Sequence, residues 1–308
     1  MARIAVIGHT NIETAVHADH LEGTDSDEFA AYALSTSVSG VGVNVALALK
    51  GLGADVRLAT VVGRDVLGGV CVQELTERGL DPAYLVRGTP ATAQSLSRHA
   101  SDGSRRNLVD LKDVQGATYP DDLAPCLLDD VAVAVVCNIA YARPMLRRAR
   151  ERHIPIASDV HAVTGLDDAY NHDWIACADV LFASHERLDV APSMFARTVL
   201  REHRAAVVVV GMGADGALLG VRGEDVTCVP AVRTRPVVST VGAGDALFSA
   251  FVDGWVAGMA PLDALRRATF FASWKIGASG GAAGLLDRAG LAAVAGTWPG
   301  SPDAGGPG

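Results

Sequence analysis

The chain has 308 residues and a mass of 31.8 kDa, the size of one large α/β domain or two small ones. With 49% apolar and 20% charged residues it can bury a large core, which excludes global disorder. A net charge of −9 and a pI of about 5.4 exclude a binder of bulk nucleic acid, which would carry a basic face. The three lysines, Lys50, Lys112 and Lys275, each follow a residue other than glycine, so the chain has no P-loop. It has no H-R-D or D-F-G set, so it is not a protein kinase. Five scattered cysteines without a C-x-x-C pair suggest neither zinc nor a disulfide framework. No apolar run approaches the ~20 residues that cross a bilayer, so no membrane partner is expected. Met1-Ala2-Arg3-Ile4 leads straight into an apolar strand without a signal-peptide layout, and a cytoplasmic location is expected.

In chain order, Ile4 to Ile7 reads as a buried strand ending at Gly8. A polar stretch from Glu22 to Glu28 follows, then a modest strand from Tyr32 to Val38. Val45, Ala48, Leu49 and Leu52 share one face of a helix over Val43–Leu52, with Gly53 as its stop. A strand over Val56–Val62 and a helix over Val66–Arg78 come next. Thr92–His99 and Arg105–Val109 flank Asp102-Gly103, a hairpin signal in polar surroundings that suggests a lid.

From Val131 onward, strands and helices alternate. Strands at Val131–Cys137, Ile154–Ser158, Val180–Phe182 and Ala206–Val210 are separated by helices at Pro144–Arg152, Asp167–Cys177 and Pro192–His203. This alternation implies a mostly parallel sheet covered on both faces. A second hairpin surrounds Arg222-Gly223-Glu224-Asp225, and helices over Ala243–Gly258 and Leu262–Ala278 close the body. Residues 297–308 read as a flexible tail.

The strongest chemical signal is Thr240-Val241-Gly242-Ala243-Gly244-Asp245, which leads into an apolar helix. The unpaired N–H groups and positive dipole end of such a helix suit a phosphate, and the glycines let it approach the backbone. Asp245 in the first turn could take the proton of an attacking hydroxyl. The plainer alternative is an Asp favoured there by the dipole alone.

A second signal, Ser39-Gly40-Val41-Gly42-Val43-Asn44-Val45-Ala46, satisfies the dinucleotide pattern G-x-G-x-x-A. The preceding Ser35–Ser39 is too polar for a central strand, and the acid Asp65 comes too late. A glycine turn whose backbone and Asn44 amide meet a polar ligand is the better reading, with an ordinary helix start beside it.

Together these motifs resemble the ribokinase-like (phosphofructokinase-B type) carbohydrate kinases. Gly40, Gly42, Asn44 and Ala46 match the family's first motif; Thr240, Gly242, Ala243, Gly244 and Asp245 match its second. Gly8-His9-Thr10-Asn11-Ile12-Glu13 resembles the opening turn with its sugar-gripping acid. Val207–Val210 with Gly213-Ala214-Asp215-Gly216 resembles the strand and loop before the nucleotide site.

The resemblance implies a three-layer α/β/α sandwich with a mostly parallel central sheet and a small β lid. It implies one kinase domain over 1–296, with lid segments at about 14–38 and 90–112. ATP and Mg2+ would be the cofactors, Asp245 the base and Gly242, Ala243 and Gly244 the anion hole. Glu13, Gly40, Gly42, Asn44 and Arg98 would bind the sugar; Ser184, Gly213, Gly216 and Thr240 would bind the nucleotide. A homodimer through the lid is the assembly to consider.

Three departures stand out. Ser39 replaces the first glycine of a pair. Ser239 replaces an acid that holds potassium in members using that ion. Ser184-His185-Glu186-Arg187 replaces N-x-x-E, leaving Glu186 one place off as the magnesium-side carboxylate or as a solvated helix-start residue. Asp159 is a further carboxylate near the phosphate end, or a turn cap. Arg98, Arg105 and Arg106 are a phosphate clamp or exposed lid charges. The expected reaction is phosphorylation of a primary sugar hydroxyl. A nucleoside kinase, with Tyr32, Phe29 or Tyr119 as a base shelf, is the alternative. A non-catalytic sugar-binding regulator is a third reading, against which the intact Asp245 argues.

Overall fold

The computed structural model describes residues 1–17, 33–99 and 105–296; the 22–28 stretch, Phe29, Tyr32, the Asp102-Gly103 turn and the 297–308 tail lie outside them. The first half runs β1 (Arg3–Ile7), β2 (Asn11–His17), β3 (Ala33–Ser39), α1 (Val41–Gly51), β4 (Asp55–Gly63), α2 (Val66–Glu77), β5 (Leu85–Thr89), β6 (Gln94–His99), β7 (Arg105–Asp110) and the short α3 (Ala124–Leu127). The second half runs β8 (Val133–Val136), α4 (Arg143–Glu151), β9 (Ile156–Ala162), α5 (His172–Cys177), β10 (Val180–Ser184), α6 (Pro192–Glu202), β11 (Val207–Gly211), β12 (Ala217–Val221), β13 (Thr227–Val229), α7 (Ala243–Val256), α8 (Pro261–Lys275) and α9 (Arg288–Gly296).

Among the described residues the large sheet has nine strands, in the order β13-β12-β11-β10-β9-β8-β1-β4-β5. It is parallel from β5 to β11, and β12 and β13 add antiparallel at one edge. Alternating strand side chains build two cores. Ile4, Val6, Val133, Val135, Val207 and Val209 pack under α1, α7 and α8 with Leu49, Phe248, Phe251 and Phe271. Ala5, Ile7, Ala134, Val136, Val208 and Val210 pack under α4, α5 and α6 with Leu146, Trp174, Phe195 and Val199. The result is the expected three-layer sandwich.

The second sheet, in the order β3-β2-β6-β7, is the expected lid. The β6–β7 pair is the antiparallel hairpin, and β2 pairs parallel to β6. β2 was not expected as a strand. Its Asn-Ile-Glu-Thr-Ala-Val-His alternation serves a sheet with one polar face. β3 sits at the edge of this small sheet and not in a central βαβ unit, which agrees with setting aside the dinucleotide pattern. The helix expected over 167–177 is shorter: the Asp168 carboxylate accepts the Asn171 N–H at 3.1 Å, and the helix starts only at His172.

Candidate active site

Two glycine turns bring α1 and α7 to the same place. Gly40, the residue before α1, has φ 107°, and the Gly42 N–H donates to the His9 carbonyl at 2.9 Å. A Cβ on Gly42 would stand 2.4 Å from the Gly8 carbonyl carbon. Gly42 is thus needed where α1 presses on the end of β1, a packing duty. Before α7, Val238 and Ser239 donate to the Ile276 carbonyl at 2.7 and 3.0 Å. Gly242 takes φ 77°, and a Cβ there would stand 2.5 Å from the Gly281 carbonyl oxygen. The first α-type bond of α7 runs from Ala246 to Gly242, so the Gly244 and Asp245 N–H groups precede it. A Cβ on Gly244 would meet open space. Unpaired N–H groups at the positive end of a helix are the kind of group that suits an anion.

Asp245 is 9% exposed. Burial raises its carboxyl pKa above the usual range; His161 and the Asn44 hydrogen bond oppose that rise, Asp159 adds to it and Lys275 opposes it. Asn44 Nδ2 donates to Asp245 Oδ2 at 2.7 Å. Ser39 Oγ lies 3.0 Å from Glu13 Oε2 and 3.3 Å from Asn44 Oδ1, and its one proton can go to either. A polar chain therefore runs Glu13–Ser39–Asn44–Asp245. The second Glu13 oxygen, Oε1, is buried without a hydrogen-bond partner among the described residues. Ser39, a departure in the sequence, is the link between the two carboxylates.

Two further groups act electrostatically on Asp245 that the sequence did not single out for this site. His161 has φ 55°; its N–H donates to Asp159 Oδ1 at 2.8 Å and its Nδ1 lies 3.5 Å from Asp159 Oδ2. Lys275 is fully buried. A D-x-H spacing and a lysine inside an apolar helix were the only signals for them. His9 is neutral, burial lowering its pKa to about 4.

The remaining expected residues are spread out. In the β2–β6 register Glu13 pairs with Ser95 and Val16 with Arg98, so Arg98 lies on the sheet face opposite Glu13. Asn11 Nδ2 donates to Ser95 Oγ at 2.8 Å on the Glu13 face. Ser184 Oγ accepts the Glu186 N–H at 3.3 Å, and Glu186 is exposed at the end of β10. Gly213 has φ 60° in the turn after β11; Gly216 has φ 97°, and a Cβ there would stand 2.1 Å from the Val229 carbonyl. Thr240 is exposed, its carbonyl accepting the Ala243 N–H at 3.2 Å. Among the described residues no group of three or more His, Cys, Asp or Glu could hold a metal ion, and no helix is long and apolar enough to cross a membrane.

Residues 1–288 match the family model described as pfkB family carbohydrate kinase. The "Acarbose 7(IV)-phosphotransferase" of an Actinoplanes species is 28% identical over 292 residues, covering 94% of this chain and 96% of that protein. The structure titled "Microbiome-derived Acarbose Kinase Mak1" superposes with a TM-score of 0.86 at 24% identity, over 95% of this chain and 98% of the other. A Burkholderia thailandensis nucleoside kinase in complex with inosine superposes with a TM-score of 0.75 at 19% identity, over 95% and 97%. With the family match spanning nearly its whole length, this chain belongs to the pfkB family of carbohydrate kinases and is a phosphotransferase with an alcohol group as acceptor.

Proposed function

We propose that the protein transfers the γ-phosphate of ATP to a hydroxyl, in the first instance a primary one, of a carbohydrate. The observation that carries this reading is the polar chain from Glu13 to Asp245, which ties an acceptor for substrate hydroxyls to a buried carboxylate beside an anion seat. Glu13 Oε1, buried and without a partner among the described residues, accepts a hydrogen bond from one substrate hydroxyl. Asp245, oriented by Asn44, accepts the proton of the attacking hydroxyl. The acceptor oxygen bonds to the γ-phosphorus, the bond from that phosphorus to the β–γ bridging oxygen breaks, and ADP leaves with that electron pair. The anion hole expected of the Gly242, Ala243 and Gly244 backbone is proposed here as the Gly244 and Asp245 N–H groups, because the Ala243 N–H already donates to the Thr240 carbonyl at 3.2 Å.

Magnesium binds mostly phosphate oxygens and water, so it needs few carboxylates from the protein. Glu186 and Asp159 are the carboxylates that would hold its water shell, and the ion would supply positive charge to the phosphates. Gly213, Gly216, Ser184 and Thr240 belong to the nucleotide side of this proposal, and the cytoplasm is the compartment where ATP is at hand.

A carbohydrate is favoured over a nucleoside by the lid face that bears Glu13. Asn11, Ser95, Ser97 and Asn107 lie on it, with Ser97 Oγ donating to Asn107 Oδ1 at 2.8 Å. Tyr119, one of the aromatic residues considered for a base shelf, is 2% exposed and donates its hydroxyl to the Tyr84 carbonyl. Two of the similar proteins are also named for acarbose. The lid homodimer belongs to the proposal too. Leu34 and Leu108, exposed on the face away from Glu13, are the residues it would cover, and sedimentation decides it.

The test is to incubate the protein with magnesium, ATP and panels of carbohydrates and nucleosides, reading ADP release and the phosphorylated product by mass. Phosphorylated carbohydrates support the proposal; product from nucleosides alone overturns the substrate class.

A further inference from the structure

Lys275 ends α8 with 0% exposure. A buried ammonium is retained only where other charges offset its desolvation. Among the described residues its one recorded hydrogen bond is to the Ala278 carbonyl at 3.4 Å, longer than an ordinary N–H···O bond, and no carboxylate is within ion-pair distance. Local bonding therefore does not account for it.

Its surroundings do. The next residue, Ile276, accepts both the Val238 and Ser239 N–H groups, which fastens the end of α8 to the segment entering the glycine turn. Five residues further on, Gly281 packs against Gly242, Asn44 and Ser39. Lys275 thus starts a loop that floors both the anion seat and the polar chain. Burial lowers its pKa to about 8, while Asp245 and Glu13 act to raise it and Arg235 to lower it. Ser239 is nearly buried and neutral, its hydroxyl accepting the Val241 N–H at 3.2 Å. The end of α8 thus brings a buried lysine beside the segment that enters the glycine turn.

We propose that Lys275 is a positioning residue of the transfer site: an internal cation that offsets the two carboxylates as the phosphate arrives and makes a dissolved monovalent ion unnecessary. The inference rests on the kinase reading above. Without that charge, Asp245, Glu13 and the phosphate repel one another across a poorly screened interior. Among the described residues the groups that act on Asp245 are Asn44 from α1, Cys137 just after β8, Asp159 and His161 from β9, and Lys275 from α8.

Three proteins are compared: the wild type, Lys275→Met and Lys275→Ala. Turnover is measured in potassium, ammonium and the bulky tetramethylammonium ion. The wild type should turn over equally in all three; a several-fold activation by potassium overturns the proposal without any variant. Lys275→Met should lose about ten- to a hundredfold in kcat with little change in carbohydrate KM, and its activity should need a higher pH. Wild-type kcat and pH profile in Lys275→Met would overturn the proposal. Lys275→Ala opens a space, so ammonium and potassium should partly restore its turnover. They should also raise its melting temperature, which tetramethylammonium should not. Absence of both effects in folded Lys275→Ala would overturn the proposal. The melting arm needs no turnover, so a wrong kinase or substrate assignment would leave small-ion stabilisation in place, whereas a wrong role for Lys275 would remove it.

Discussion

Replacing Gly281 with alanine should disconnect Asn44 from Asp245 while leaving the fold standing. The added Cβ would lie 2.6 Å from Asn44 Nδ2, 2.7 Å from Ser39 Oγ and 2.8 Å from Asn44 Oδ1, all closer than carbon can approach. The Asn44 side chain is the most movable of these atoms, and its swing would break the 2.7 Å bond to Asp245 Oδ2. A hydrogen bond to a charged group contributes about 1.5–3 kcal/mol, so kcat/KM should fall about ten- to a hundredfold. Overpacking should cost a further ~1–3 kcal/mol of stability, a loss of several degrees in melting temperature. Gly69→Ala on α2 is the control: its Cβ meets nothing within 4 Å, and helix propensity favours alanine by about 1 kcal/mol. Steady-state kinetics and thermal melts of the two variants separate these effects. Wild-type kcat/KM in a folded Gly281→Ala protein would refute the argued chain from Asn44 to Asp245.

Glu13→Ala should weaken carbohydrate binding by about 1.5–3 kcal/mol per lost hydrogen bond and leave ATP binding nearly unchanged, as calorimetry with each ligand would show; equal losses for both would make Glu13 structural. Chelation of magnesium should abolish turnover and its return restore it, and full activity in chelator would contradict the proposed nucleotide side. A pH test of stability falls on Asp179. Burial acts to raise its pKa, but hydrogen bonds from Arg150 at 2.8 Å, the Ile156 N–H at 2.8 Å and Arg204 at 3.0 Å hold it below the usual range. A depressed folded-state value contributes stability above the unfolded carboxyl's pKa and loses it as pH falls through the folded value. Asp179→Asn should therefore cost about 1.5–3 kcal/mol in urea melts at neutral pH and progressively less as pH falls below the ordinary carboxyl value of ~3.9; a cost independent of pH would show that charge is not the cause.

The sequence made the parallel core legible because strands buried on both faces read as unbroken apolar runs, Val207–Val210 being the plainest. It hid β2, whose polar alternation suits a lid, and α9, whose Arg-Ala-Gly-Leu-Ala-Ala-Val-Ala-Gly carries two glycines and is anchored by buried Leu291. Asp245, Asn44 and Glu13 were legible as motif residues. Their connection was not, because Asn44 and Asp245 are 201 residues apart and meet only when α1 packs on α7. Ser39 looked like a loss when judged as a missing glycine; its hydroxyl has a use visible only once Glu13 and Asn44 converge on it. His161 and Lys275 were faint in the sequence, a D-x-H spacing and a lone lysine, because Asp245, on which both act, lies on another element.

The central claim is that Asp245 is the base at an anion seat, and Asp245→Asn tests it most directly. The amide keeps the shape and burial of the carboxylate but cannot take a proton. Turnover and the separate dissociation constants for ATP and for the phosphorylated carbohydrate's parent should be measured on the same preparation. The account predicts a fall in kcat of about a hundred- to ten-thousandfold with both dissociation constants nearly unchanged. Near-wild-type turnover would contradict it.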